Sequence, residues 1–131
     1  MKNIEVVAAI IFYKDEILCV QKGLNKLNYL SEKYEFPGGK MEFGETKEQT
    51  ITREIFEELE MNIIINEEFI TVNYQYPDFN LKMHSFICTC RNKKLTLTEH
   101  IDFKWLKKEE LKTLNWAAAD IPIVNKLVMN G

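Results

Sequence analysis

This 131-residue chain lacks several features, and each absence removes a class of function. No apolar run approaches the roughly 18 residues that a membrane-spanning helix needs. The stretch Val6 to Tyr13 is short, and Glu5 interrupts the start that a secretory signal would require. A basic excess is missing too: 17 Lys and Arg stand against 20 Asp and Glu, a net charge of −3. Domains that grip duplex nucleic acid usually carry a marked positive balance, so no duplex partner is expected. The cysteines, Cys19, Cys88 and Cys90, are few and odd in number, without the spacing of a zinc site. Buried free thiols in a reducing cytoplasm are the expectation, with Cys88 and Cys90 on one face of a strand. Repeats, low-complexity tracts and linkers are absent, so residues 1–131 read as one domain.

What is present is a core-forming composition, 46% hydrophobic and 28% charged, in a chain long enough to bury a substantial interior. Ile4 to Tyr13 and Ile17 to Gln21 read as two strands around a polar turn. Gly23 to Lys33 reads as a loop, and Pro37-Gly38-Gly39 as a turn. Thr46 followed by Gln49 is a capping-box signature, opening a helix to about Glu60 with Ile51, Ile55 and Leu59 as its apolar stripe. Ile63 to Tyr76 and Leu81 to Cys90 are the next strands, separated by a turn at Pro77-Asp78-Phe79-Asn80. Phe103 to Leu106 is a short strand, Lys108 to Leu114 a short helix, and Asp120-Ile121-Pro122 the start of a last helix capped by Asp120. Mixed elements without strict alternation predict an α+β fold, a mixed sheet packed between helices.

The chemistry concentrates in Arg53-Glu54-Ile55-Phe56-Glu57-Glu58. A helix places positions three and four apart on one face, so Glu54, Glu57 and Glu58 stack their carboxylates together. Like charges four apart repel, and the macrodipole disfavours anions near a helix C-terminus. Stability would not choose this pattern; a hard divalent cation, which takes carboxylate oxygens, would explain it. The three glutamates flank the apolar stripe and should lie in a cleft at the edge of the core.

Written out, Gly39-x5-Glu45-x7-Arg53-Glu54-Ile55-Phe56-Glu57-Glu58-Leu59-Glu60-Met61 resembles the signature of the Nudix hydrolases, GX5EX7REUXEEXGU. One position departs, because Glu60 stands where the family has Gly; the helix end would then be turned by Asn62. Outside that box, the stretch Met1 to Ile11, Glu35-Phe36-x-Gly38-Gly39-Lys40, Glu99-His100 and Ala119-Asp120-Ile121-Pro122 resemble the MutT-like branch that includes bacterial CTP pyrophosphohydrolases. The resemblance implies an α/β/α sandwich with a mixed sheet, and hydrolysis of a nucleoside triphosphate to monophosphate and pyrophosphate.

It also implies roles. Glu54, Glu57, Glu58 and Glu99 with the Gly38 carbonyl become ligands of Mg²⁺, with Mn²⁺ as a possible substitute. Glu54, Glu58 and Glu99 all remain candidates for the base that activates water. Arg53, four residues before Glu57, is expected to orient a ligand, and Glu45 to be a structural partner of the box. Lys40 is a candidate phosphate contact, Phe36 a stacking residue or core aromatic, and Asp120 a base reader or helix cap. His84 is expected to be a satisfied strand histidine, and Trp105 and Trp116 to be packing residues. An anionic Asp120 would favour exocyclic amino groups such as cytosine N4, whereas a protonated one admits oxidised guanine. The expected partner is a small nucleotide, CTP-type pyrimidines first and 8-oxo-dGTP second, in a cytoplasmic monomer or homodimer. A non-catalytic nucleotide-binding module is the alternative of another class; a nucleoside diphosphate sugar or capped RNA is a third substrate class.

Overall fold

Strand β1 (Lys2–Tyr13) is the axis around which the computed structural model, describing residues 1–130, is built. Along one edge it pairs in parallel with β6 (Phe79–Thr89), from Lys2 opposite Phe79 to Phe12 opposite Thr89. Its other edge is shared. β2 (Glu16–Gln21) holds only Phe12 and Tyr13, then peels away, and β4 (Gly38–Lys40) takes Val6 to Ala8. Beyond the point of divergence, β2 pairs with β3 (Tyr34–Glu35) through Val20 and Gln21. β5 (Ile64–Gln75) closes one side beside β6, and β7 (Asp102–Lys107) the other beside β2. The result is a seven-stranded mixed sheet with a splay between β1 and β2, bridged by Phe36 and Pro37.

Strand alternation assigns the faces. Val7, Ala9 and Ile11 of β1 pack with Ile51, Ile55 and Leu59 of helix α1 (Lys47–Leu59). Ala8 and Ile10 pack on the opposite face with Ile123, Val124 and Leu127 of helix α2 (Ile121–Met129). Helices on both faces of a mixed sheet are the arrangement expected. Cys88 and Cys90 pack into the α1-side core as free thiols. Trp116 is buried with its indole N–H donating to Leu111 O at 2.7 Å, and Trp105 packs on the α1 side. No helix among the described residues is long and apolar enough to cross a membrane.

Four local expectations need correction. Gly38 and Gly39 are not a free turn but belong to strand β4: a Cβ at Gly38 would strike the Val7–Ala8 backbone of β1, and one at Gly39 the Glu54 carboxyl. Phe79 and Asn80 belong to strand β6, which leaves only Pro77 and Asp78 in the turn, while Lys108–Thr113 forms the expected short helix in 3-10 form. Asp120 occupies the position before α2, yet its side chain makes no cap bond and instead accepts from the Phe36 N–H at 3.1 Å. The end of α1 is turned by Glu60 itself, at φ 53° and ψ 36°, and not by Asn62.

The capping box at Thr46 forms as read: Thr46 Oγ1 accepts from the Gln49 N–H at 3.0 Å, and Gln49 Oε1 from the Thr46 N–H at 2.9 Å. At the other end, Glu60 bears a side chain in a left-handed conformation that disfavours L-residues by about 1–2 kcal/mol. Glycine removes that strain but gains freedom in the unfolded chain. Glu60→Gly should therefore raise stability by about 1 kcal/mol, read as a higher melting temperature. A lower one would refute the assignment of strain to this residue.

Candidate active site

The splay between β1 and β2 opens a cavity of about 360 Å³. Glu58 and Glu99 lie at its acidic end, with Gly38, Gly39 and Lys40 of β4 along one side. Phe36 and Asp120 line the same cavity. Seven of the sequence-chosen residues therefore converge on one space, drawn from α1, the β3–β4 segment, the loop before β7 and the start of α2. Glu54 and Glu57 do not line it. Glu54 sits behind Gly39, where a Cβ would come within 2.3 Å of its carboxyl carbon. Glu57 is 56% exposed and stands 3.4 Å from Arg53.

Arg53 organises this helix face. Its Nε donates to Glu45 Oε2 at 2.6 Å and its Nη2 to Glu45 Oε1 at 2.9 Å, a bidentate pair. Nη1 reaches Glu54 Oε1 at 2.9 Å, and Nη2 also donates to the Lys40 carbonyl at 3.2 Å. One guanidinium thus ties α1 to β4 and fixes the Glu54 carboxylate. Glu45 accepts in addition from the Glu42 N–H and the Thr50 hydroxyl. The Arg53 hydrogen bonds hold its carboxyl down at about 2, so it stays an anion. Arg53 and Glu45 are positioning groups in this geometry.

Glu58 is different. It is only 4% exposed, and Oε1 has no hydrogen-bond partner. Burial pushes its carboxyl up to about 10, helped by a hydrogen bond to Glu54 and the negative charges of Glu35, Glu54 and Glu99. A carboxylate so placed either keeps its proton or needs a cation. Among the described residues no three acidic, histidine or cysteine side chains are assembled into a ready cage for one. The donor set still suits a hard divalent ion, which is commonly held by one or two carboxylates with water and phosphate oxygens completing its shell.

The loop carrying Glu99 and His100 is held against the end of α1. The Thr96 N–H donates to Leu59 O at 2.9 Å, the Thr98 N–H to Glu58 O at 3.0 Å, and the Thr98 hydroxyl to Glu57 O at 2.8 Å. These bonds satisfy carbonyls that a helix C-terminus leaves unpaired. They explain why a distant stretch of sequence meets the glutamate helix.

Phe36 is buried and stacked on Trp116, with ring centroids 4.7 Å apart, so a neighbour already covers one of its faces. Asp120 is also buried, and its carboxyl is raised well above the usual range by burial and by Glu35. Sequence reasoning missed Glu35 and His100 as participants. His100 Nε2 lies 2.9 Å from Glu35 Oε2, Lys22 Nζ lies 3.5 Å from Glu35 Oε1, and all three line the cavity. Their available signal was position alone, beside Phe36 and Glu99. His84 is satisfied as expected, by Thr71 at 3.2 Å and Glu5 at 2.5 Å.

Residues 6–126 match the NUDIX domain. The chain is 32% identical to the CTP pyrophosphohydrolase of Escherichia coli (strain K12) over 124 residues, covering 95% of this chain and 90% of that protein. It is 28% identical over 127 residues to the 8-oxo-dGTP diphosphatase of Buchnera aphidicola subsp. Schizaphis graminum (strain Sg), covering 97% and 95%. A solution structure of the Nudix hydrolase MutT from methicillin-resistant Staphylococcus aureus 252 is 40% identical, with a TM-score of 0.77 and full coverage of both chains. The chain belongs to the Nudix family and is a Nudix hydrolase. Hydrolases of this family generally work with divalent metal ions.

Proposed function

We propose that this hydrolase is a Mg²⁺-dependent pyrophosphohydrolase of nucleoside or deoxynucleoside triphosphates, with CTP-type pyrimidines as the first substrate class. The observation that carries this reading is the buried Glu58 carboxyl, whose Oε1 has no hydrogen-bond partner, at the acidic end of a cavity that Asp120 also lines. A polyanionic phosphate tail would be repelled by the carboxylates alone. Glu54, Glu57, Glu58 and Glu99, with the Gly38 carbonyl, would hold the ion. When bound, it offsets phosphate charge and stabilises the charge that shifts during displacement. Arg53 keeps Glu54 in place, and Lys40 meets a phosphate from the rim. One of Glu54, Glu58 and Glu99 takes the proton of a water that attacks in line, at the β-phosphorus.

At the other end Asp120 reads the base. With its proton retained, the carboxyl accepts from cytosine N4–H₂ and donates to N3. The same protonated group can pair with the N1–H and O6 edge of guanine, which supports 8-oxo-dGTP as the second reading. Among similar proteins the names CTP pyrophosphohydrolase and, more often, 8-oxo-dGTP diphosphatase both occur, which supports keeping both readings.

Pyrophosphate release should be measured with Mg²⁺ over CTP, dCTP, 5-methyl-dCTP, dGTP and 8-oxo-dGTP. A preference for the cytosine nucleotides is expected. Asp120→Ala should lower kcat/KM for the preferred base by about one to two orders of magnitude while sparing poor substrates. Uniform loss across the panel would remove Asp120 from base reading. No Mg²⁺-dependent release from any triphosphate would defeat the proposal itself.

A further inference from the structure

Only three buried side-chain nitrogen or oxygen atoms among the described residues lack a hydrogen-bond partner, and two of them face each other. Glu58 Oε1 and His100 Nδ1 stand 3.9 Å apart, too far for a direct hydrogen bond. Both side chains are 5% exposed. The other nitrogen of His100, Nε2, lies 2.9 Å from Glu35 Oε2. An imidazole N–H given to a carboxylate leaves the opposite nitrogen with a free lone pair, here aimed at Glu58. Histidines that ligate metals almost always donate their other ring N–H to an outer carboxylate, carbonyl or water, which fixes the tautomer and raises ligand basicity.

Distance agrees with that chemistry. Two adjacent ligands of one ion, each about 2.1 Å from it, lie about 3.0 Å apart in octahedral geometry and about 3.4 Å in tetrahedral geometry, so a closure of about 0.5–0.9 Å would seat both. Thr98, bonded to the end of α1, tethers the His100 loop next to Glu58 and makes a small closure sufficient. We propose that His100 Nδ1 and Glu58 Oε1 are joint ligands of one divalent cation, with Glu35 orienting the imidazole. This rests on Glu58 being a metal ligand and adds a nitrogen donor to an otherwise oxygen site. A nitrogen donor shifts affinity toward Mn²⁺, Co²⁺ and Zn²⁺ relative to Mg²⁺, because imidazole suits transition metals.

The chain has only two histidines, so a tag-free protein gives a clean test. Mn²⁺ bound to the wild type should show nitrogen hyperfine coupling in pulsed electron paramagnetic resonance. His100→Gln should abolish the coupling and weaken Mn²⁺ binding about tenfold or more. His84→Gln should leave both unchanged, since Thr71 and Glu5 occupy the ring nitrogens of His84. That variant secures the assignment even if His100→Gln fails to fold. Mn²⁺ bound without nitrogen coupling, or coupling that survives His100→Gln, overturns the inference and leaves the glutamate site standing. Failure of Mn²⁺ to bind at all overturns the glutamate site as well.

Discussion

Glu58→Gln should reduce cation-dependent turnover by two to four orders of magnitude, the range by which a positioned proton-transfer group accelerates a reaction. The fold should survive, because the amide has the size and neutrality of the protonated carboxyl that burial already favours. Loss confined to kcat at saturating Mg²⁺ would mark Glu58 as the base. Activity recovered by raising Mg²⁺ would mark it as a ligand only. Undiminished activity at every Mg²⁺ concentration would end any role for Glu58 in the site.

The same residue predicts how stability follows pH. Glu58 holds its proton in the folded metal-free protein up to about pH 10, against an ordinary value of 4.5. Below the ordinary value both states are protonated and its contribution is fully present. As pH rises from there toward 10, the unfolded chain releases the proton while the folded chain keeps it, so folding stability falls. Metal-free protein should therefore melt progressively lower from pH 5 to pH 9, and Glu58→Gln should flatten that slope. Added Mg²⁺ should raise the melting temperature most at the alkaline end, where the lower proton concentration competes less with the cation for the Glu58 carboxyl. An identical slope in the variant would assign the pH dependence to other groups.

Much of this site was legible because its chemistry is local. Glu54, Glu57 and Glu58 share a helix face by periodicity alone, and Thr46 with Gln49 marks where that helix begins. Alternation likewise put Cys88 and Cys90 on one face, and both pack into the α1-side core. What escaped was long-range. Apart from the family resemblance, which assigns Glu99 to the same ion as Glu58, nothing near residue 100 announces that Thr98 docks on the end of α1 and brings His100 beside Glu58, forty-two positions earlier. Glu35 reads as an ordinary strand carboxylate until the splay of β1 and β2 turns it toward the cavity. Asp120 fits a helix cap by sequence, and only the approach of the Phe36 N–H draws its side chain elsewhere. Glu60 misleads for another reason. Propensity assigns the left-handed turn to Asn62, but the carbonyls at the end of α1 are taken by the Thr96–Thr98 segment, and the chain must turn at once.

The adjacent glycines of β4 should fail in opposite ways when each is replaced by alanine. At Gly38 an added Cβ would lie 1.9 Å from the Val7 carbonyl oxygen and 2.9 Å from the Ala8 Cα. Those atoms are the backbone of the central strand and cannot yield, so β4 must lift off β1 and take the bridge across the splay with it. Overpacking of this kind costs about 3 kcal/mol, enough to lower the melting temperature by about 10 °C. At Gly39 the Cβ would instead meet the Glu54 carboxyl, 2.3 Å from its Cδ. That is the far end of a flexible side chain, which can swing aside with little strain, but only by leaving Arg53 Nη1 at 2.9 Å. Gly39→Ala should therefore keep nearly the wild-type melting temperature and lose about a hundredfold in turnover, the effect of misplacing a catalytic group by about 1 Å. Melting curves beside pyrophosphate-release rates decide the matter. A Gly39→Ala enzyme as active as the wild type would show that Glu54 has no part in the reaction, because its place there depends on the space that glycine leaves.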